Sequence, residues 1–333
     1  MSSTTSPTRV VVIGGGESCE HEVSVASAAS VAHALGEVRD ALGRARYEVV
    51  PLTIGRDGTW RDRGDRPVGL TGALHVLRSA DVVVPVVHGP RGEDGTLAAL
   101  CDLAHVPYVG SGVAAGALAM DKWATKLVAE AVGIRTAPGV LLTPAAAGAY
   151  AFTHPVVVKP VAAGSSHGVT LVRTAAELPA ALAAAFALDT RVLVEDVVDG
   201  REIDVAVLAT GPAGAERVVS PALEIEVDGF FDFDAKYAGG ARFTVPAALS
   251  DADQEALEAA ALRAYDALGC RGVARVDFFL TADGPVLNEV NTMPGFTAAS
   301  QVPRMFAAAG LAYPDLLDLL VRDALGLSVP VAA

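Results

Sequence analysis

Cysteine, lysine and aromatic residues are scarce in this chain of 333 residues, and aromatic residues make up only 5% of it. The three cysteines, Cys19, Cys101 and Cys270, are odd in number and share no short spacing typical of a metal site. They argue against a disulfide framework and are typical of a protein from a reducing compartment.

Long apolar runs are also absent from the sequence. No stretch reaches the ~18 unbroken apolar residues that a membrane span needs. Residues 1–7 are not followed by the apolar core of a signal peptide. We therefore expect a cytoplasmic protein without a membrane partner.

Positive charge is in short supply, with 25 lysines and arginines against 39 acidic residues and a formal net charge of −14. Nucleic acids and anionic membranes both require a basic surface, so neither is expected as a partner. A hydrophobic content of 52% over this length is enough for two or three domains with cores of their own. We expect the partner to be a small molecule.

Lysine is confined to four positions, and arginine carries the rest of the basic charge. The two side chains are not equivalent, because the lysine ammonium is a compact point charge. The places where lysine is kept therefore predict where phosphate binds. They are Lys122, Lys126, Lys159 and Lys236.

The N-terminal segment predicts a buried strand at residues 9–13, three glycines at 14–16 and a helix from about residue 20 to 35. A helix that begins after such a turn offers backbone N–H groups to a ligand. The dinucleotide fingerprint G-x-G-x-x-G fails because Cys19 stands in place of its third glycine, which argues against an oxidoreductase. No P-loop motif occurs. Glu22 falls in the first helical turn, where it either complements the helix dipole or serves a ligand.

Further strand signals at residues 47–54 and 80–87 predict a doubly wound α/β domain up to about residue 115. The second of these strands ends in a polar, glycine-rich loop at residues 88–96. Open α/β sheets bind ligands at the carboxyl ends of their strands. This loop is therefore a candidate binding element.

Two segments with lysines predict contacts to an anion. Lys122 and Lys126 lie one turn apart on a helix that Asp121 caps, so we expect an anion or a carboxylate close to them. Lys159 ends a strand that leads through a Gly/Ser loop at residues 163–168 into another strand. Such a loop is either a flap that closes over phosphates or an ordinary flexible hairpin.

Residues 275–280 and 286–291 predict a β-hairpin around the Ala282-Asp283-Gly284 turn. The period of two places Arg275 with Asp277 on one face of the first strand, and Glu289 with Asn291 on one face of the second. Oxygen ligands at this density suit Mg²⁺, although a solvated hairpin face remains the alternative.

Two further regions predict contacts to a nucleotide. Strands at residues 191–196 and 202–208 could offer backbone groups to an adenine edge, with Glu202 available for ribose hydroxyls. Residues 227–246 form a long loop that contains aromatic residues and Lys236, and we interpret it as a lid.

Several of these segments also carry a family resemblance, and they occur in that family's order over nearly the whole chain. The segments are residues 15–24, 88–96, 110–112, 120–122, 159–168, 234–237, 275–277 and 289–295. Together they resemble the ATP-grasp superfamily and, within it, the D-alanine–D-alanine ligases.

The resemblance implies a mixed α/β and α+β fold, in which an N-terminal doubly wound parallel-sheet domain is followed by two subdomains that clamp ATP. We place the N-terminal domain at residues 1–120. The central subdomain with the phosphate flap then covers residues 121–205, and the C-terminal subdomain with the lid and metal site covers residues 206–333. A homodimer is also implied.

The resemblance further implies which residues bind ATP and its metal ions. The predicted phosphate ligands are Lys122, Lys159, Ser166 and Lys236, the adenosine ligands are Glu195, Asp196, Val198 and Glu202, and the ligands of two Mg²⁺ ions, which Mn²⁺ could replace, are Asp277, Glu289 and Asn291.

The predicted reaction joins two D-alanine molecules through a D-alanyl phosphate. The resemblance assigns Glu22 and His88 to the first D-alanine, with Ser165 and Tyr237 linked to Glu22, Arg275 and the Gly295 N–H to the oxyanion, and Ser300 with Gln301 to the second D-alanine.

Departures from the family pattern leave the second substrate open. Glu17 and Cys19 differ from the usual residues, and Gln301 replaces a usual leucine. Tyr237 matches the dipeptide-forming members and favours an amine over a hydroxy acid. The alternatives are a ligase for D-serine or D-lactate and an ATP-sensing module, and Arg275 argues against the sensor because a sensor needs no oxyanion donor.

Overall fold

The computed structural model describes residues 6–210, 214–227 and 241–327. Its helices are α1 (His21–Glu37), α2 (Gly69–Leu77), α3 (Thr96–Ala104), α4 (Val113–Met120), α5 (Lys122–Ala131), α6 (Leu178–Phe186), α7 (Asp251–Leu268), α8 (Gln301–Ala308) and α9 (Tyr313–Ala324). Its strands are β1 (Thr8–Gly15), β2 (Tyr47–Ile54), β3 (Trp60–Arg61), β4 (Val82–Pro85), β5 (Arg135–Thr136), β6 (Gly139–Leu142), β7 (Val156–Pro160), β8 (Thr170–Val172), β9 (Val192–Asp196), β10 (Arg201–Thr210), β11 (Glu216–Val219), β12 (Leu223–Val227), β13 (Ala241–Thr244), β14 (Val273–Thr281) and β15 (Gly284–Asn291). No helix within these described ranges is long and apolar enough to cross a membrane.

The N-terminal sheet has the strand order β3-β2-β1-β4, with β2 and β4 parallel to β1. Residues Val10 to Ile13 of β1 are fully buried, as expected of a β-branched strand in the middle of a parallel sheet. At the carboxyl end of β1, a Cβ on Gly15 would lie 2.1 Å from the Ile54 carbonyl oxygen. The glycine turn therefore depends on this close approach of two backbones.

A second sheet, with the order β6-β9-β7-β8, is antiparallel throughout. Helix α6 contributes Leu182 to its core, which also contains Val158 and Val194. The loop between β7 and β8 carries Ser165 and Ser166, both with positive φ. This arrangement confirms the predicted strand, Gly/Ser loop and strand; we call this four-stranded unit the flap sheet.

The third and largest sheet has the order β13-β12-β10-β14-β15-β5, and β11 also pairs with β10. Helix α7 packs on it; the Ser250 hydroxyl accepts the Asp253 N–H at the start of this helix, and Gly269 ends it in the left-handed conformation. Strands β14 and β15 form the predicted hairpin, which pairs Arg275 with Asn291 and Asp277 with Glu289.

One apolar core joins the N-terminal sheet to the large sheet. It contains Val10 of β1, Leu208 of β10, Phe306 of α8 and Leu320 of α9. The flap sheet instead has a core of its own. Among the three sheets of the described residues, it is the one that shares no apolar core with another sheet.

The predicted subdomain boundary between residues 205 and 206 falls inside β10. All of β10 belongs to the large sheet, and β5 at residues 135–136 joins the same sheet through its pairing with β15. A boundary drawn by sheet membership would therefore precede Arg201. The division into three parts stays a prediction.

Candidate active site

A cavity of about 440 Å³ lies between the flap sheet and the large sheet. Lys159 and Ser166 line it from the flap sheet, and Asp277 and Glu289 line it from the β14–β15 hairpin. A volume of ~300–1,000 Å³ is typical of small-molecule sites. The structure thus brings the predicted phosphate ligands and the predicted metal ligands to one cavity.

Arg275 is the central cation of the hairpin face. Its Nε and Nη2 atoms each donate to one oxygen of Asp277 at 2.7 Å, and its Nε lies 3.4 Å from Asp204 Oδ2. Burial acts to lower the pKa of Arg275, but Asp277 and Asp204 outweigh burial and raise that pKa above its ordinary value. The guanidinium is therefore held as a fixed positive charge in a buried position.

Gln301 bridges Arg275 and Asp204. Its Oε1 accepts from Arg275 Nη1 at 2.6 Å, and its Nε2 donates to Asp204 Oδ2 at 2.9 Å. Because Gln301 stands at the first position of α8, it links that helix to the middle of the large sheet. A leucine at this position could form neither bond.

The lysines near the cavity are paired with carboxylates. Lys122 Nζ lies 3.0 Å from Glu289, and Lys159 Nζ lies 2.6 Å from Glu195. Burial acts to lower the pKa of Lys122, but Glu289, together with Glu20 and Glu195, outweighs burial and raises that pKa. The expectation of a carboxylate beside Lys122 and Lys126 is confirmed, since Lys126 Nζ lies 2.5 Å from Glu195.

The residues predicted to bind metal fit a magnesium ion by their chemistry. Asp277 and Glu289 line the cavity, and Asn291 Nδ2 donates to Asp277 Oδ2 at 3.0 Å. Within the described residues, no group of three or more His, Cys, Asp or Glu side chains is arranged to hold a metal. Two carboxylates and an amide are nonetheless typical for Mg²⁺, which is bound by few protein ligands together with substrate phosphates and water.

The carboxylate next to the flap is Glu20, and Glu22 does not lie there. The Ser165 hydroxyl donates to Glu20 Oε1, whereas the side chain of Glu22 is 75% exposed and pairs with Arg56 at 3.0 Å. Helix α1 begins at His21, so Glu20 precedes the helix and points to the flap while Glu22 points outward. The geometry therefore favours Glu20 over Glu22 as the carboxylate beside the flap, and the position of Glu22 does not support the role predicted for it.

His88 is 3% exposed, and both of its ring nitrogens are engaged within the protein. Nδ1 lies 2.9 Å from the Met293 carbonyl oxygen, and Nε2 lies 3.1 Å from the Ser27 hydroxyl. That hydroxyl also accepts the Phe296 N–H at 3.1 Å. His88 thus fixes the loop that carries Gly295, and the geometry does not support the predicted contact to substrate.

Two family models of known proteins match this chain, one in its N-terminal part and one in its C-terminal part. The family model described as D-ala D-ala ligase N-terminus matches residues 9–72 and 64–111, and the model described as D-ala D-ala ligase C-terminus matches residues 142–322. The chain belongs to the D-alanine–D-alanine ligase family. Its predicted family and its predicted ATP-grasp fold are both confirmed.

Individual relatives of this ligase-family chain match over nearly its whole length. The D-alanine–D-alanine ligase of Mycolicibacterium vanbaalenii is 42% identical, with 95% of this chain and 97% of the relative covered. The VanG D-Ala:D-Ser ligase of Enterococcus faecalis is 34% identical with a TM-score of 0.80, covering 96% of this chain and 100% of that one. The Bacillus anthracis D-alanine–D-alanine ligase, solved with ATP, is 27% identical with a TM-score of 0.76, covering 96% and 97%.

The remaining predicted ligands of the ligase-family site fall into three groups: residues that line the cavity, a pair next to α8, and residues outside the described ranges. Asp196, Val198 and Glu202 line the cavity at the end formed by β9 and β10. Ser300 precedes α8, and a Cβ on Gly295 would lie 3.4 Å from its Oγ. Lys236 and Tyr237 fall outside the described residues, as does most of the predicted lid.

Glu93 is a site-proximal residue that the sequence analysis missed. Its carboxylate accepts the Gly89 N–H at 2.8 Å and the Met293 N–H at 3.1 Å, so it ties the 88–96 loop to the segment before Gly295. Burial, together with the charge of Glu20, raises the pKa of Glu93 to about 8. A glutamate in a loop with three glycines gave no signal that distinguished it from a solvated residue.

The raised pKa of Glu93 predicts a pH-dependent stability. The folded protein retains a proton that the unfolded chain releases near the ordinary value of 4.5. The contribution of Glu93 to stability is therefore complete below that value and is lost as the pH rises through about 8.

We expect Glu93→Gln to remove this contribution to the pH dependence. Between pH 4.5 and about pH 8, the unfolding free energy of the wild type relative to that of the variant should fall by up to ~1.4 kcal/mol per pH unit. Urea denaturation at three pH values measures it, with the exposed Glu255→Gln as the control. Parallel pH profiles for wild type and Glu93→Gln would contradict the assignment.

Proposed function

We propose that this chain joins two molecules of D-alanine into D-alanyl-D-alanine with the hydrolysis of ATP, as a step in peptidoglycan precursor synthesis. The observation that carries the proposal is the cavity between the flap sheet and the large sheet, which unites Lys122, Lys159, Arg275, Asp277 and Glu289. Family membership over nearly the whole chain supports it. A cytoplasmic location and a homodimer remain predictions.

The proposed ATP site extends along the cavity. Adenosine would lie against Val198 and Glu202, and the phosphates would lie near Lys122, Lys159 and Ser166. Asp277, Glu289 and Asn291 would hold Mg²⁺, and Mn²⁺ could take its place. When bound, the metal would neutralise phosphate charge as it does in other phosphoryl transfers.

The chemistry assigned to the protein begins with orientation of the first D-alanine. Glu20, which contacts Ser165, would hold its ammonium and leave its carboxylate towards the nucleotide. An oxygen of that carboxylate attacks the terminal phosphorus of ATP, the bond to the bridging oxygen breaks so that ADP is the leaving group, and an acyl phosphate forms. The amine of the second D-alanine, oriented by a contact of its carboxylate with Ser300, attacks the acyl carbon.

Arg275 and the Gly295 N–H would stabilise the negative oxygen that forms during this attack. Arg275 suits the role because Asp277, Asp204 and Gln301 fix its guanidinium before substrate binds. A donor fixed in advance requires no reorganisation when charge develops. The inorganic phosphate then leaves with the oxygen that came from the first carboxylate.

The placement of Glu20 leads to a paired prediction. We expect Glu20→Gln to raise the KM for the first D-alanine by about tenfold or more, because a charge-assisted hydrogen bond to its ammonium is lost. Glu22→Gln should change it by less than about twofold, since exposed ion pairs contribute little. Steady-state kinetics of both variants decides between the two carboxylates, and the opposite ranking would restore Glu22.

A second candidate is the ligation of D-alanine to D-serine. It is favoured by the 34% identity to the VanG D-Ala:D-Ser ligase and by Gln301, a polar residue beside Ser300. The Gln301 Oε1 atom accepts from Arg275 Nη1 and has a second lone pair that could accept a hydrogen bond from a serine hydroxyl. This activity would keep the acyl phosphate chemistry and change only the attacking amine.

Phosphate release with identification of products by mass tests the proposal. The protein is given ATP and Mg²⁺ with D-alanine alone, and then with D-alanine plus D-serine or D-lactate. We expect D-alanyl-D-alanine in every mixture as the main product. Turnover only with D-serine would favour the second candidate, and a higher rate with D-lactate at neutral pH would exclude the preference for an amine.

A further inference from the structure

Lys126 is the one described lysine that the proposed reaction does not use. Its Nζ atom donates to Glu195 Oε1 at 2.5 Å and also to the Ala137 carbonyl oxygen. Its exposed fraction is 5%. Glu195 and Lys159 line the cavity, while Lys126 approaches Glu195 from α5, behind the cavity wall. We therefore expect Lys126 to act on a ligand through Glu195, the cavity-lining side chain with which it pairs.

The carboxylate of Glu195 divides its two oxygens between two lysines. Oε1 accepts a hydrogen bond from Lys126 Nζ, and Oε2 lies 2.6 Å from Lys159 Nζ. Burial acts to raise the pKa of Glu195, but Lys159 and Lys126 outweigh burial and lower it. Two ammonium groups around one carboxylate leave a net positive charge. Of the three groups, Lys159 and Glu195 face the cavity.

We propose that Lys126 is a positioning residue for the nucleotide triphosphate. By occupying one oxygen of Glu195, it weakens the hold of that carboxylate on Lys159 and leaves the Lys159 ammonium able to turn to a phosphate oxygen. This inference rests on the proposed function, in which Lys159 binds the phosphates of ATP.

Loss of Lys126 has a defined electrostatic consequence. Glu195 and Lys159 would then form a neutral pair within a buried site, where the attraction between opposite charges is stronger than in water. Lys159 would have to leave this pair before it could meet a phosphate. The loss should therefore weaken binding of the triphosphate and change binding of adenosine less, because Asp196, Val198 and Glu202 would keep their predicted contacts with adenosine.

Calorimetric binding of two probes tests this difference. For Lys126→Met, we expect the Kd of Mg²⁺–adenylyl imidodiphosphate to rise by about tenfold or more and that of adenosine by less than about threefold. Lys126→Arg keeps the charge and should restore most of the triphosphate affinity. Arg135→Met, which removes an exposed cation of the neighbouring segment, is the matched control and should bind both probes like the wild type.

A second pair of variants tests the route through Glu195. In a Glu195→Gln background there is no carboxylate to hold Lys159, so adding Lys126→Met should change the triphosphate Kd by less than about threefold. Neither Glu195→Gln nor the double variant leaves the carboxylate of residue 195 buried without a cation. The two can therefore be compared even where Lys126→Met alone does not fold.

Three results would overturn the proposal. The first is an unchanged triphosphate Kd in Lys126→Met, and the second is an equal rise of the Kd for both probes in that variant. The third is a rise of the triphosphate Kd by about tenfold or more when Lys126→Met is added to the Glu195→Gln background. A wild-type protein that binds neither probe would contradict the proposed ATP site itself. Failure of this inference is thus distinct from failure of the proposed function.

Discussion

Replacement of Arg275 by lysine is expected to lower kcat by about 10²–10³-fold, the usual effect of losing one donor to a developing oxyanion. Lysine keeps the positive charge but cannot donate to both Asp277 oxygens and to Gln301 as the guanidinium does. The donor to the oxyanion would no longer be fixed. We expect the affinity for adenylyl imidodiphosphate to change by less than about threefold, because the change lies at the acyl end of the site.

Arg275→Met carries a second expected effect on stability. It leaves Asp204 and Asp277 buried without their cation, and removing one partner of a buried ion pair costs about 3–5 kcal/mol of unfolding free energy. Arg275→Lys is therefore the variant in which to measure the reaction, after circular dichroism has shown that it folds. Arg217→Met removes a cation from an exposed pair on the same sheet and should keep kcat within about twofold. Full activity of Arg275→Lys would contradict the oxyanion role.

Replacement of Asp277 by asparagine is expected to raise the Mg²⁺ concentration for half-maximal activity by about tenfold or more and to lower kcat by about 10²-fold or more, because a charged metal ligand is lost. The substitution would also weaken one of the two hydrogen bonds that the carboxylate accepts from Arg275. A Mg²⁺ titration of the ATP-dependent reaction measures both quantities, and a parallel titration with Mn²⁺ tests the alternative ion.

Asp283→Asn provides the matched control for this change. It makes the same chemical substitution at the exposed turn of the same hairpin, where the Asp283 N–H donates to Thr281 Oγ1. We expect no change in the Mg²⁺ requirement of that variant. Normal turnover and metal dependence of Asp277→Asn would instead revive the interpretation of this fold as a nucleotide-binding module.

The β14–β15 hairpin was the most predictable part of the site. Its two strands alternate around an Asp-Gly turn, so the period of two placed Arg275 with Asp277 and Glu289 with Asn291. The pairing of Asp277 with Glu289 also depends on a shift in register between Asp277 and Phe278, which the period of two does not predict. The flap was predictable for a similar reason, since its loop joins two strands and not a strand and a helix. Local spacing decides which segments are strands and which residues share a face in both cases, whereas the register between the two hairpin strands was not contained in that spacing.

Glu20 and Glu22 show where local spacing fails. Both lie in the same short motif, and the choice between them depends on the residue at which α1 begins. Helix boundaries are the least certain feature of any sequence-based prediction. A shift of one residue turns a carboxylate by about 100° around the helix axis, which is enough to move it from the flap towards solvent.

Partners distant in the chain could not be predicted at all. The sequence indicated that Lys126 needs a carboxylate, but Glu195 is 69 residues away and becomes its neighbour only when α5 meets β9. Helix α8 is likewise absent from the sequence-based prediction. It is short and contains Pro303, a residue that usually argues against a helix but is tolerated in the first helical turn.

Transfer of an isotopic label tests the central claim of acyl phosphate ligation most directly. The protein is supplied with ATP, Mg²⁺ and D-alanine in which both carboxylate oxygens are ¹⁸O, and both products are analysed by mass spectrometry. The account predicts D-alanyl-D-alanine that has lost one labelled oxygen and an equal amount of inorganic phosphate that carries one. Unlabelled phosphate, or phosphate released without dipeptide, would contradict it.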